Sequence, residues 1–256
     1  MAEIPPAVLR QLNAGTTESL NLVEWLAVDI EKLAKAAGYS AGLDGAELAT
    51  HARKLRGLGV MQRTGGMGAA LHQLLENDQR REKTLGKLAS HMSDSVRTWA
   101  CYALVAHSEL PLETRLELVR PFAADSHMGV REIAWMAVRP HLAMDLELAF
   151  RLLVPWTTED DPNLRRFASE ATRPRGVWCS HISELKNDPE PGLAILEPLR
   201  SDPHIYVRRS VANWLNDASK TRPDWVRKIT ARWLRESKTR ETAWTVNHAT
   251  RTLRKG

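Results

Sequence analysis

The chain is 256 residues long, 43% hydrophobic and 26% charged, a balance that supports a buried core and excludes a disordered or fibrous chain. No apolar run approaches the roughly 20 residues needed to cross a bilayer, and the N-terminus MAEIPPAVLR lacks the basic flank and apolar stretch of a secretory signal. Two cysteines, Cys101 and Cys179, make neither a disulfide framework nor a zinc site, so a cytoplasmic protein without metal or membrane partner is expected.

The net charge of +5 is unevenly placed. Residues 1 to 50 carry three Lys or Arg against seven Asp or Glu, whereas residues from 201 onward carry thirteen against five. Such asymmetry suits a molecule that meets a polyanion at one end, nucleic acid first and an anionic membrane surface second. A solvated charged helix face is the plainer alternative.

In chain order, residues 1–85 read as an acidic helical part. Within it Gly65-Gly66-Met67-Gly68 mimics a phosphate loop, but no strand precedes it and no Lys-Ser/Thr follows, so an ordinary loop is expected. Residues 86–256 read as repeats. Asp94-Ser95 leads to Val96-Arg97, Asp125-Ser126 to Val130-Arg131, Asp160-Asp161-Pro162 to Leu164-Arg165, and Asp202-Pro203 to Val207-Arg208. The arginines are 34, 34 and 43 residues apart, and the long interval holds the insertion ATRPRGVWCSH. An acidic turn followed by an apolar-Arg step supplies N-cap and first-turn chemistry. The period and pattern predict an all-α fold, a right-handed α-solenoid of HEAT-like helical hairpins in one domain, with a concave basic face. Each recurring arginine has two readings: it follows a phosphate backbone, or it pairs with the Asp of an adjacent turn and ties hairpins together. The repeat alone favours the tie for most of them.

The surplus basic residues go further. Arg165, Arg166, Arg173, Arg175, Arg208, Arg209 and Lys220 exceed what turn pairing can use and are expected on nucleic acid. Of nine tryptophans, most must be core, while a few, Trp214 among them, are expected on the binding face, where an indole stacks on nucleotides. Cys179 and His181, two apart, diverge on a helix and form no ligand pair.

The segments ESLNLVEWLAVD (18–29), HMGVREIAWMAVRP (127–140), LRRFASEATRPRGVWCSH (164–181) and YVRRSVANWLNDASKTRPDWV (206–226) together resemble the HEAT-like-repeat DNA alkylation-repair glycosylases, the AlkC branch more than the AlkD branch. The resemblance touches nearly the whole chain, and EATRPRGVW followed by SVANWLNDASK is its most specific part. It implies excision of cationic N-alkylated bases such as 3-methyladenine and 3-methylcytosine from double-stranded DNA, by a monomer that needs no metal or cofactor. It further implies Asp217 and Glu132 as catalytic carboxylates and Trp178 as a contact to deoxyribose or lesion. Some AlkC relatives carry an added immunoglobulin-like domain, and none is expected here. Without the resemblance, Asp217 reads as a cap before Thr221-Arg222-Pro223, Glu132 as an exposed first-turn residue, and Trp178 as core. Glu170 is expected to hold the RPRG loop through Arg173. A HEAT scaffold for protein partners and a DNA-structure binder without chemistry remain the rival functions.

Overall fold

A computed structural model describes residues 4–254. Among these the regular structure is sixteen α-helices and two short 3-10 turns, with no strand, and no helix is long and apolar enough to cross a membrane. The chain divides into two compact units, up to Ala137 and from Val138 onward. The first contains α1 (Pro6–Ala14), α2 (Leu22–Ala27), α3 (Ile30–Ala41), α4 (Gly45–Lys54), α5 (Val60–Leu75), α6 (Arg81–Ala89), α7 (Asp94–Val105), α8 (Leu112–Ala123) and the start of α9 (Met128–Met144), inside which the division falls. The second continues with α10 (Leu146–Leu153), α11 (Pro162–Ala171), α12 (Ser183–Asn187), α13 (Leu193–Leu199), α14 (Ile205–Ala218), α15 (Pro223–Glu236) and α16 (Arg240–Ala249).

Helix starts follow the sequence signals. The side chains of Asn21, Asp29 and Asp44 accept the first free N–H groups of α2, α3 and α4, and Asp161 and Thr239 do the same for α11 and α16. Pro162 and Pro223 occupy the first turns, where no N–H is needed. The buried faces keep helical period: Leu33, Ala34, Ala37 and Ala41 on α3, and Val226, Ile229, Thr230 and Trp233 on α15. Each large apolar side chain so buried contributes about 1.5–3 kcal/mol.

The recurring arginine repeats one geometry. Arg97 Nη1 donates to the carbonyls of His91 and Met92 at 2.8 and 3.1 Å, while its Nε donates to Asp125 at 2.9 Å. Arg131 Nη1 donates to the Asp125 and Ser126 carbonyls at 2.6 and 2.7 Å. In the second unit Arg165 Nη1 reaches the Glu159 and Asp160 carbonyls, both at 2.8 Å, and its Nε reaches Asp202 at 2.6 Å. Arg208 Nη1 then reaches the Asp202 and Pro203 carbonyls at 2.7 and 2.8 Å. Each guanidinium thus satisfies turn carbonyls that no helix bonds, and Arg97 and Arg165 also grip the carboxylate of the next turn. Of the two readings of this residue, the tie between hairpins is observed for Arg97 and Arg165, while Arg131 and Arg208 bind the carbonyls of their own turns.

The ESLN stretch is fixed by the same turns. Glu18 pairs with Arg97, and Ser19 donates from N and Oγ to Asp94 at 3.0 and 2.7 Å. His127 Nδ1 accepts from Gly129 N, which leaves the ring proton on Nε2 to donate to the Ser19 carbonyl at 2.7 Å.

One expectation is corrected. Gly65-Gly66-Met67-Gly68 lies in the middle of α5, and there the glycines permit close packing: a Cβ on Gly68 would overlap Tyr102 Cβ and meet the Trp99 carbonyl of α7 at 3.1 Å. A pair of substitutions separates packing from propensity. Gly68→Ala is expected to destabilise the protein by about 1–3 kcal/mol through overpacking. Gly86→Ala, on α6 with open space around it, is expected to stabilise by about 0.5–1 kcal/mol. Denaturant titration of both variants measures the two signs.

Candidate catalytic and nucleic-acid-binding site

In the second unit, the site assembles where α11 packs on α14. Asp217 sits near the C-terminal end of α14 and is only 4% exposed. Its Oδ2 accepts from Arg173 Nε at 2.9 Å and Nη2 at 2.7 Å, while its Oδ1 accepts from Lys220 Nζ at 3.2 Å. The other side of Arg173 donates to Glu170 Oε1 at 2.5 Å. Glu170 Oε2 accepts from Ser210 Oγ at 2.6 Å and lies 3.5 Å from Arg166. Two carboxylates are therefore matched by two guanidiniums below the surface, with the half-exposed Lys220 ammonium over the outer oxygen of Asp217. Buried charges persist only when paired in this way. Burial alone would raise the Glu170 pKa, yet the charges of Arg166 and Arg173 and the Ser210 hydroxyl hold it below its ordinary value. Glu170 thus does hold the RPRG segment through Arg173, as its position predicts.

That segment is a loop, not a helix. It leaves α11 at Thr172 and closes where Ile182 N donates to the Pro174 carbonyl at 3.1 Å. Arg139, 2% exposed, fixes it from beneath: Nη1 donates to Ala171 O at 2.7 Å, Nη2 to Arg173 O at 2.5 Å and Nε to Ser180 O at 3.0 Å. One guanidinium thereby holds both ends of the loop. Gly176 is required because a Cβ there would overlap the Cys179 sulfur and approach Arg139. Trp178 crowns the loop at 50% exposure, beside the equally exposed Val177, and has φ +68°. A left-handed backbone at a tryptophan costs on the order of 1–3 kcal/mol and persists only where surrounding contacts impose it. Burial pushes the Cys179 thiol pKa up, which disfavours a nucleophilic role.

In the first unit Glu132 lies half-buried on the first turns of α9, and its Oε2 accepts the Trp135 indole N–H at 3.0 Å. An exposed first-turn residue does not need such an anchor; the bond fixes the carboxylate direction.

The basic residues expected on nucleic acid divide. Arg165 ties one turn to the next, whereas Arg208 binds the carbonyls of its own turn and stacks over the Trp244 ring at 5.4 Å. Arg166 pairs with Glu170 and lies 4.2 Å over the Tyr206 ring, and Arg173 is the bridge just described. These four guanidiniums are held by the fold. Arg209 is exposed, and Arg175 has a buried Nε with no hydrogen-bond partner among the described residues. With Lys220, they are the members of the set available to an external anion. Trp214 is corrected outright: it is fully buried, donates to the Thr172 carbonyl at 2.9 Å and packs against Gly192. An indole so enclosed cannot stack on a nucleotide.

Sequence reading missed Arg139. A signal was present, since Arg139 stands eight residues after the recurring Arg131, as Arg173 stands eight after Arg165. The same repeat position twice supplies an inward-pointing guanidinium.

A family model described as DNA alkylation repair enzyme matches residues 66–253. The Bacillus subtilis (strain 168) protein YhaZ is 58% identical over 50 residues, which is 20% of this chain and 14% of YhaZ. The solved structure of the Pseudomonas fluorescens alkylpurine DNA glycosylase AlkC, bound to DNA containing an abasic site analog, is 26% identical with a TM-score of 0.73. It covers 98% of this chain, which spans 65% of the AlkC chain. AlkD2 from Streptococcus mutans, 20% identical, shares the helical-repeat fold with a TM-score of 0.62 over 80% of this chain and 98% of its own.

Glu170→Gln tests the buried network. At neutral pH it is expected to destabilise the second unit by about 3–5 kcal/mol, because Arg173 loses a charged partner. The folded-state pKa of Glu170 is depressed, so unfolding takes up a proton between that value and the ordinary 4.5. The wild-type advantage is complete above about 4.5 and disappears as pH falls through the folded-state pKa. Thermal melts of both proteins from pH 7 to 3 follow the narrowing gap.

Proposed function

The chain belongs to the DNA alkylation repair enzyme family, and from that premise we propose that it is a monofunctional DNA glycosylase acting on cationic N-alkylated bases, of the 3-methyladenine and 3-methylcytosine type, in duplex DNA. The observation that carries this reading is the Arg173 bridge. It keeps Asp217 paired as a carboxylate, and the loop that begins at Arg173 lifts Trp178 into solvent. The likeness to AlkC, an alkylpurine DNA glycosylase, supports the same assignment.

The chemistry asks little of the protein. An alkylated base that carries positive charge departs with the electron pair of the C1′–N bond and becomes neutral, so no acid need protonate it. The deoxyribose left behind becomes oxocarbenium-like, and a nearby carboxylate stabilises that charge, orients the water whose oxygen bonds to C1′, and accepts the proton that water loses before passing it to solvent. Asp217 takes this role through Oδ1, the oxygen facing Lys220. Lys220 is the half-exposed member of the pair, and a phosphate draws its ammonium away from Oδ1 when DNA binds. Glu132, whose direction the Trp135 indole N–H fixes, is a separate candidate carboxylate. Trp178 lies against the sugar, and Arg175 and Arg209 bind backbone phosphates. Selectivity comes from the lability of the cationic base, so a deep base pocket is unnecessary.

One observation favours a rival reading. Both oxygens of Asp217 have partners and its side chain is nearly buried, as befits a purely structural carboxylate in a protein that binds DNA without reacting. Single-turnover release of methylated base from alkylated duplex decides between the two. Asp217→Asn and Glu132→Gln are each expected to slow release by about 100-fold or more, while duplex affinity of the folded fraction changes only a few-fold. Release by none of the three proteins would favour the rival, and equal release by wild type and both variants would remove the catalytic role of these two carboxylates.

The division of arginines gives a separate expectation. Arg209→Ala should weaken duplex binding and reduce its salt slope by about one phosphate contact with an unchanged melting temperature. Arg165→Ala should lower the melting temperature with little effect on the salt slope. Fluorescence anisotropy across a salt series, beside thermal melts, reads both.

A further inference from the structure

The Arg173 site leaves one guanidinium of the first unit unexplained. Helices α2, α5 and α7 enclose an open cleft of about 320 Å³, lined by Trp25, Val28, Val60, Arg63, Ser95 and Trp99, among others. Arg63 Nε is buried there with no hydrogen-bond partner among the described residues. An unpaired buried donor on a charged group is unfavourable, so native folds retain one chiefly where something else binds it. The walls add further donors. Ser95, 5% exposed, and Trp99, 2% exposed, line it with a hydroxyl and an indole. The nearest carboxylate in sequence does not compete: Asp94 directs both oxygens to Ser19. Asp29, at the start of α3, is engaged by the Glu31 and Lys32 amides and the Lys32 ammonium. A buried guanidinium N–H without a partner, opening on such a cleft, is complementary to an anionic acceptor.

We propose that this cleft is an oxyanion site for a phosphate group, seated on Arg63 and Ser95 between the Trp25 and Trp99 rings. The phosphate is either a free small anion or a phosphodiester of bound nucleic acid, and the site is independent of whether the protein cleaves glycosidic bonds.

Isothermal titration of the full chain with inorganic phosphate, in a buffer free of phosphate and sulfate, tests the site. Binding is expected for the wild type, with affinity reduced at least about ten-fold in Arg63→Gln, the loss of one charge-assisted hydrogen bond. Ser95→Ala, which keeps the guanidinium, should reduce it by a smaller factor and guards against misfolding of the first variant. The indole N–H resonances of Trp25 and Trp99, assigned through Trp25→Phe and Trp99→Phe, should shift with phosphate. A salt series on duplex binding then separates the sources: a slope reduced by about one in Arg63→Gln identifies a backbone phosphate, and an unchanged slope identifies a free anion. No phosphate binding by the wild type, or equal binding by wild type and Arg63→Gln, overturns the proposal.

Discussion

The second unit depends on one buried guanidinium. Arg173 leaves the end of α11, takes Glu170 of its own helix on one side and Asp217 of α14 on the other, and so couples two successive repeats through charge. It is the one side chain that both carboxylates share, with Arg166 and Ser210 completing the shell of Glu170 and Lys220 that of Asp217, so neither buried oxygen pair is left without donors. The same side chain starts the loop that carries Trp178, whose left-handed backbone is affordable only on a firm base. Arg139 supplies that base by binding both ends of the loop through carbonyls. A chain of two arginines thus converts repeat packing into a defined surface loop beside a defined carboxylate.

The basic composition has two separable uses. Guanidiniums at the recurring position satisfy turn carbonyls and turn carboxylates, replacing hydrogen bonds that the hairpin geometry leaves open. These contacts explain why Arg rather than Lys recurs, because the planar fork reaches two carbonyls and a carboxylate together. Arg175, Arg209 and Lys220 stand outside that scheme. Net charge therefore overstates the number of residues free to meet a polyanion, and any count of phosphate contacts should start from the unengaged cations.

Much of the fold was legible in the chain. The acidic turns, the apolar-Arg step and the spacing of Arg97, Arg131, Arg165 and Arg208 follow from local capping and from the period of a hairpin, which one sequence can display. The role of Glu170 was legible for the same reason, being three residues from its partner. What escaped depended on distant packing. Gly65 to Gly68 has loop composition, but the approach of α7 makes small residues a requirement of helix α5. Trp214 has the chemistry of a stacking residue, yet Gly192, over twenty residues earlier, leaves the space that buries it. Arg165, Arg166 and Arg173 have phosphate-binding chemistry, and only the placement of Asp202, Glu170 and Asp217 shows that the fold holds them.

The account turns on Asp217 being at once held from within by Arg173 and open to a sugar once Lys220 moves. A crystal structure of the protein with a duplex containing an abasic-site analogue tests this most directly. The account predicts Asp217 Oδ1 facing the abasic sugar, Arg173 still bridging to Glu170, and the Lys220 ammonium on a backbone phosphate. Asp217 still covered by Lys220, with the sugar seated against other residues, would contradict it.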